Sequence, residues 1–380
     1  MEVYGLVLGW NLILDSGTLI AIMAVAFLPK MFGLKFINGL FVFQHTLIFN
    51  IIVMFVGFNA SRLPYELLVH FIVVEFGFYI LVLLLYRQSL PQLEFISDRL
   101  VALAPRYKGA LVILLLLLIM FRLSLVAEDG SRIAYMTASW FTVVKPIISL
   151  LDPLSFWISF LLLLNPYTRR LGLILLGLAL TANIFTGSKA SFVYGFLTVA
   201  LFYRDVNFYK RYSITFTSLM KRSFFPAIII ITSAFFVLQS RMSGFFELWI
   251  RFFRYGEANI LTYFSSWPTQ ACEGLSLIAK LHRGLARLLG DHGANDIDTL
   301  FGYALNVIET GTNSFTGPNA RISAYFLCNF SGISIVAAVI FLFWYAIAFR
   351  VLIRCCTYSK LGVFVVPYAI FALNNSSQDF

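Results

Sequence analysis

The chain has 380 residues, 60% of them hydrophobic and only 12% charged, with a mean hydropathy of +0.86. A soluble core of this length cannot hide that much apolar surface, so the solvent must be lipid and a soluble globular enzyme is excluded. The formal net charge of +10 is read as a topology signal beside membrane spans, which removes nucleic acid as a partner.

Taken in chain order with a span length of about 20 residues, the apolar runs are 3–28, 37–58, 65–86, 109–126, 139–164, 170–187, 190–203, 223–240, 321–349 and 361–377. The first run lacks a basic n-region and a small-residue cleavage site, so it is expected to stay in the protein as a span. The predicted fold class is all-α: a polytopic integral membrane helix bundle of about 10 to 12 transmembrane helices, treated as one domain over 1–380.

Charge alternates between the connections. Lys30 and Lys35, then Arg87, Arg99, Arg106 and Lys108, then Arg169 and Arg170, then Arg204, Lys210, Arg211, Lys221 and Arg222, and last Arg350, Arg354 and Lys360 mark one side. The rich side is cytoplasmic by the positive-inside rule, so the chain starts outside. That puts the 187–189 turn outside, together with 241–320, the largest loop.

Ionisable groups within spans are costly and face a cavity or a partner. Lys145 and Asp152 stand seven residues apart in 139–164, on nearly the same helical face, each followed directly by proline. They serve either a polar cavity or a structural pairing with another helix. Lys189 follows Thr186, Gly187 and Ser188 at the start of the next apolar run. Free backbone N–H groups there would make an anion site that a lysine reinforces; the alternative is a lysine snorkelling to the headgroups.

The external loop begins at Arg241 and contains "GFFELWIRFFRYGEANIL", where Glu247, Arg251 and Arg254 share one face of an amphipathic helix. The arginines either clamp phosphate or, in the case of Arg251, pair with Glu247. A second amphipathic helix carries Lys280, Arg283 and Arg287, a face that attraction to anionic headgroups explains. The external acidic groups are Glu257, Asp291, Asp296, Asp298 and Glu309, with His292 beside Asp291. Asp296 reads as a helix N-cap. "ETGTNSFTGPNARI" makes a structured turn at the mouth of a span, with Asn313, Thr316 and Asn319 as sugar-type hydrogen-bonding groups and Arg321 where the helix begins. No metal-ligand constellation is present in the sequence. Cys272, Cys328, Cys355 and Cys356 show no CxxC spacing and no histidine partners, so neither zinc nor a disulfide framework is expected.

The "TGSK" turn between two central spans, the basic loop after it, the large late external loop, and "GTNSFTGPNARI" leading into "FSGISIVAAVIFLFWYAIAF" resemble the Wzy-type O-antigen polymerases over roughly residues 170–350. The resemblance implies a bacterial inner-membrane glycosyltransferase with its active site facing the periplasm. It would transfer a growing glycan from undecaprenyl pyrophosphate to the non-reducing sugar of a new lipid-linked repeat unit. Donor and acceptor would both be undecaprenyl-pyrophosphate-linked oligosaccharides. A chain-length regulator is a possible partner, and no cofactor is called for. On this reading Glu257, Asp291 and His292 supply the catalytic base, with Glu257 first because it follows the arginine stripe closely. Lys189, Arg241, Arg251, Arg254, Arg321, Asn313, Lys145 and Asp152 form the substrate-binding set. An O-antigen ligase or a lipid-linked oligosaccharide flippase is the alternative.

Overall fold

The computed structural model describes residues 16–59, 65–103, 157–163, 167–185, 189–206, 322–359 and 365–375, with short helical stretches between 109 and 120. Among the described residues every regular element is helical: α1 (Ser16–Met31), α2 (Phe41–Asn59), α3 (Tyr65–Phe71), α4 (Gly77–Leu103), α5 (Arg169–Phe185), α6 (Lys189–Asp205), α7 (Ile322–Phe330), α8 (Ser334–Tyr358) and α9 (Val365–Asn375). A π turn, Ile72–Phe76, joins α3 to α4, and a single 3-10 turn, Ser331–Ile333, joins α7 to α8.

Among the described residues, two helices are long and apolar enough to cross a membrane: the α3–π–α4 run over Tyr65–Arg99, and α8. The first extends well past the 65–86 run expected from hydropathy. It continues past Gln88 and through Pro91 to Gln92, Glu94 and Asp98, a polar stretch in which Gln and Glu are good helix formers.

The exposed faces are apolar. On α8 they include Val336, Val339, Ile340, Phe343, Trp344 and Ile347; on α1, Leu19, Ile20, Met23 and Phe27. These positions recur at helical spacing, forming stripes that water would not tolerate and lipid would. The interior is a hydrophobic cluster that also encloses polar side chains, among them Thr18, Gln44, Asn50, His70, Glu75 and Ser323.

α1 ends in a Schellman motif. Leu34 N–H donates to the Pro29 carbonyl at 2.9 Å and Gly33 N–H to Lys30 at 3.0 Å. Gly33 at φ 71° supplies the left-handed residue that this ending needs. Pro29 has no N–H, so it leaves the Val25 carbonyl, four residues earlier, without its helical partner. The Tyr79 hydroxyl of α4 donates to that carbonyl at 3.0 Å and accepts from Gln44 Nε2 of α2 at 2.8 Å. One phenol thereby fastens three helices at a point where a buried carbonyl would otherwise be unpaired.

α4 and α8 run parallel. Going along both chains together, His70 lies against Ser334 at 3.2 Å, the Phe78 and Tyr345 rings are 5.4 Å apart, Arg350 donates to Gln88 at 2.6 Å and Arg99 to the Thr357 carbonyl at 3.3 Å. Both helices therefore start at the same end of the bundle, in line with the third and ninth expected spans running in one direction.

Beside the Gln88–Arg350 contact, the α1–α2 turn, α4, α6 and α9 are braced together. Asp205 Oδ2 accepts from Gly39 N–H at 2.7 Å and from the Tyr86 hydroxyl at 2.9 Å. Lys35 Nζ donates to the Arg204 carbonyl at 2.9 Å, and Asn374 Nδ2 donates to Gly39 at 2.6 Å. Asp205 lies two residues beyond the expected 190–203 span. Burial pushes its carboxyl above the ordinary range, while the Gly39, Tyr86, Arg204 and Lys35 contacts act in the opposite sense.

The last helix departs from strict alternation. The 361–377 span was expected to end on the face opposite the α1–α2 turn, yet Asn374 sits against Gly39 and Phe43 in that turn region. α9 has 11 described residues, about 16 Å of helix and half of a hydrocarbon core.

The segment 157–163 packs on α6, with Phe160 stacked on Tyr203 at 5.3 Å and Trp157 against Phe202 at 5.3 Å. Thr168 Oγ1 donates back to the Leu162 carbonyl at 2.8 Å, and Gly172 of α5 then meets the backbone of Leu162 and Leu163. A side chain at 172 would collide with main chain that cannot swing aside. Gly172→Ala is expected to destabilise the protein by about 1–3 kcal/mol, read as a lowered thermal midpoint in detergent. Gly177→Ala, with open space around it, should leave the midpoint unchanged or slightly raised.

Candidate functional site

Besides Asp205, the described structure buries a second set of ionisable groups, at the end where α3, α7 and α8 begin. His70 of α3 and Glu75 of the π turn are buried, as are Ser323 of α7 and Ser334 of α8. Positions five apart in a regular α-helix point about 140° away from each other. The i→i+5 geometry of the π turn brings Glu75 round toward the His70 face. Gly77 ends this turn, its N–H shared between the Val73 and Val74 carbonyls.

Glu75 Oε1 accepts from Ser323 Oγ at 2.6 Å and from Ser323 N–H at 3.3 Å. Ser323 is the second residue of α7, so its amide belongs to the first turn, where backbone donors have no helical partner. The carboxylate of one helix thus caps the N-terminus of another, where the helix dipole favours negative charge.

His70 closes the network. Its Nε2 lies 3.1 Å from the Ser323 carbonyl and its Nδ1 3.2 Å from Ser334 Oγ. A carbonyl can only accept, so Nε2 carries the proton; the neutral imidazole then accepts from the Ser334 hydroxyl through Nδ1. Three helices and a π turn meet in this set of polar contacts.

Its place in the sequence matters. α7 begins immediately after "GTNSFTGPNAR", the turn read as a sugar- and phosphate-binding mouth. Glu75 and His70 hold the first turn of the helix into which that loop leads.

The sequence-derived residues stand as follows. Lys189 is the first residue of α6, so the helix starts where the TGSK reading puts it; its neighbours 186–188 lie outside the described residues. Glu257, Asp291, His292, Arg241, Arg251, Arg254, Asn313, Arg321, Lys145 and Asp152 also lie outside them. Among the described residues no group of three or more histidine, cysteine or acidic side chains is placed to hold a metal ion.

Sequence reasoning missed His70 and Glu75. The signal was a carboxylate inside the apolar run 65–86 with a histidine five residues before it. Five is not an α-helical spacing, so the two did not read as a pair.

The cysteine expectation needs correcting. Cys328 of α7 is disulfide-bonded, whereas Cys355 and Cys356 near the end of α8 are free. The remaining cysteine of the four, Cys272, lies outside the described residues. Spacing rules written for compact disulfide frameworks do not detect a single bridged cysteine.

No family model, curated protein or solved structure matches the chain.

The network generates a stability test. Ser323→Ala removes a hydroxyl donor from a buried carboxylate and is expected to cost about 1–3 kcal/mol. Combined with Glu75→Gln, the two should be non-additive by at least ~0.5 kcal/mol; strictly additive midpoints in a double-mutant cycle would break the assigned contact.

Proposed function

We propose that the chain is a polytopic enzyme of a bacterial inner membrane that polymerises undecaprenyl-pyrophosphate-linked oligosaccharide repeat units into O-antigen or a related surface polysaccharide at the periplasmic face. The observation that carries this reading is the buried His70–Glu75–Ser323 network at the start of α7. Membrane-buried ionisable groups are retained for a purpose. This set anchors the helix that follows the loop in which the family resemblance puts substrate-binding residues.

In the proposed reaction a hydroxyl oxygen of the acceptor sugar attacks the anomeric carbon of the donor glycan. The bond to the pyrophosphate oxygen breaks, and undecaprenyl pyrophosphate leaves with that electron pair. A carboxylate or imidazole takes the hydroxyl proton; Glu257, Asp291 and His292 are the proposed bases. Lys189, Arg241, Arg251, Arg254 and Arg321 would neutralise the pyrophosphates, and Asn313 would hydrogen-bond sugar. Lys145 and Asp152 would line a polar path for the substrates. Glu75 is a positioning residue on this reading, since it acts through α7. A chain-length regulator is the proposed protein partner.

The orientation has support from redox chemistry. Disulfides persist in the periplasm, and thiols stay reduced in the cytoplasm. Cys328 is bonded near the start of the α7–α8 unit, while Cys355 and Cys356 are free near its basic end. That polarity matches the one drawn from lysine and arginine. A membrane-impermeant maleimide should leave Cys355 unlabelled on intact spheroplasts and label it after permeabilisation; labelling on intact cells would invert the proposed topology.

The activity test is the glycan ladder in a null strain complemented with Lys189→Ala, Glu257→Ala or Glu75→Gln, with membrane expression verified. Collapse from a ladder to single repeat units on an intact core is the expected result. Loss of all glycan from the core while long lipid-linked chains accumulate would make the protein a ligase. Single lipid-linked units held on the cytoplasmic face would make it a flippase.

A further inference from the structure

At the opposite end from Glu75, α4 and α8 leave a groove of about 350 Å³ between them, lined by Gln88, Ser89 and Gln92 of α4 and by Arg350, Ile353 and Arg354 of α8. Arg350 and Arg354 are one turn apart, as are Gln88 and Gln92, so each helix turns a polar face toward the groove. No acidic residue lines it. Arg350 is held by its bond to Gln88 Oε1 at 2.6 Å. Arg354 is exposed and, among the described residues, has no hydrogen-bond or ion-pair partner.

We propose that this groove binds the headgroup of an acidic phospholipid of the cytoplasmic leaflet, with its phosphodiester between the two guanidinium groups. Guanidinium donors match phosphate oxygens in geometry and charge. Basic pockets between membrane helices on the cytoplasmic side are suited to acidic headgroups.

Two further observations select a lipid over a soluble phosphate. The exposed stripe Val336, Val339, Ile340, Phe343, Trp344 and Ile347 runs along α8 toward the arginines, so acyl chains have an apolar track leading from the groove. Arg350 and Arg354 also lie about 24 and 30 Å along α8 from Ser334, close to the ~30 Å thickness of a hydrocarbon core. With Ser334 at one boundary of the hydrocarbon core, a headgroup in the groove would stand at headgroup depth at the other. Gln88, Ser89 and Gln92 offer hydroxyl and amide groups for its glycerol or polar substituent. The site depends on α8 crossing a membrane and is independent of the glycan chemistry.

The test uses the full chain in nanodiscs of phosphatidylcholine alone or mixed with phosphatidylglycerol, reading retained lipid by native mass spectrometry together with the thermal midpoint. The wild type is expected to keep phosphatidylglycerol several-fold over its share of the mixture and to melt higher with it. Arg354→Gln, which leaves the Arg350–Gln88 bond in place, should abolish most of that preference, and Arg354→Lys should restore part of it. Arg170→Gln removes an exposed charge outside the groove and should change nothing.

Equal retention of both lipids by the wild type would overturn the proposal. So would an Arg170→Gln loss as large as that of Arg354→Gln, which would reduce the effect to general surface charge. If inorganic phosphate in pure phosphatidylcholine raised the midpoint as much as phosphatidylglycerol does, the groove would be a soluble-anion site and the lipid assignment would fall.

Discussion

The parallel contact between the α3–π–α4 run and α8 is the most extensive helix contact of the described bundle. It begins with His70 against Ser334, passes through the Phe78–Tyr345 ring pair and ends with Arg99 on the Thr357 carbonyl. Because the two helices start together, one end of the pair collects the buried carboxylate and imidazole and the other collects exposed arginines. A carboxylate network at one end and a cationic groove at the other are consequences of that shared direction.

The second constraint is the accounting of backbone polar groups where water is absent. Pro29 has no N–H and leaves the Val25 carbonyl without its helical partner; the chain answers with Tyr79, reached from another helix and itself held by Gln44. The first-turn amide of Ser323 is answered in the same way by Glu75. In a low-dielectric interior each unpaired group would be costly, so these side chains specify which helices meet and in what register.

The π turn connects packing with the proposed chemistry. Without it His70 and Glu75 would point in widely different directions, and α7 would have no carboxylate at its N-terminus. With it, the helix that follows the loop of the proposed substrate site is tied into the bundle at its first turn. A transferase that must hold two lipid-linked substrates in register needs its loop anchored to something rigid, and the α3–π–α4 unit with α8 is the most continuous scaffold described.

Helical fold class and the apolar character of the exposed faces were determined by the sequence alone. They depend on composition and 20-residue periodicity, both of which are local properties. The start of α6 at Lys189 was legible for the same reason. Tertiary structure decided what depends on residues far apart in the chain. Glu75 caps an amide 248 positions away, Tyr79 serves a carbonyl 54 positions away, and α9 meets the α1–α2 turn instead of the opposite face. A buried carboxylate announces itself in sequence as an isolated charge in an apolar run. Its partner does not, because pairing is set by which helix ends share a level in the bundle, and hydropathy carries no information about level.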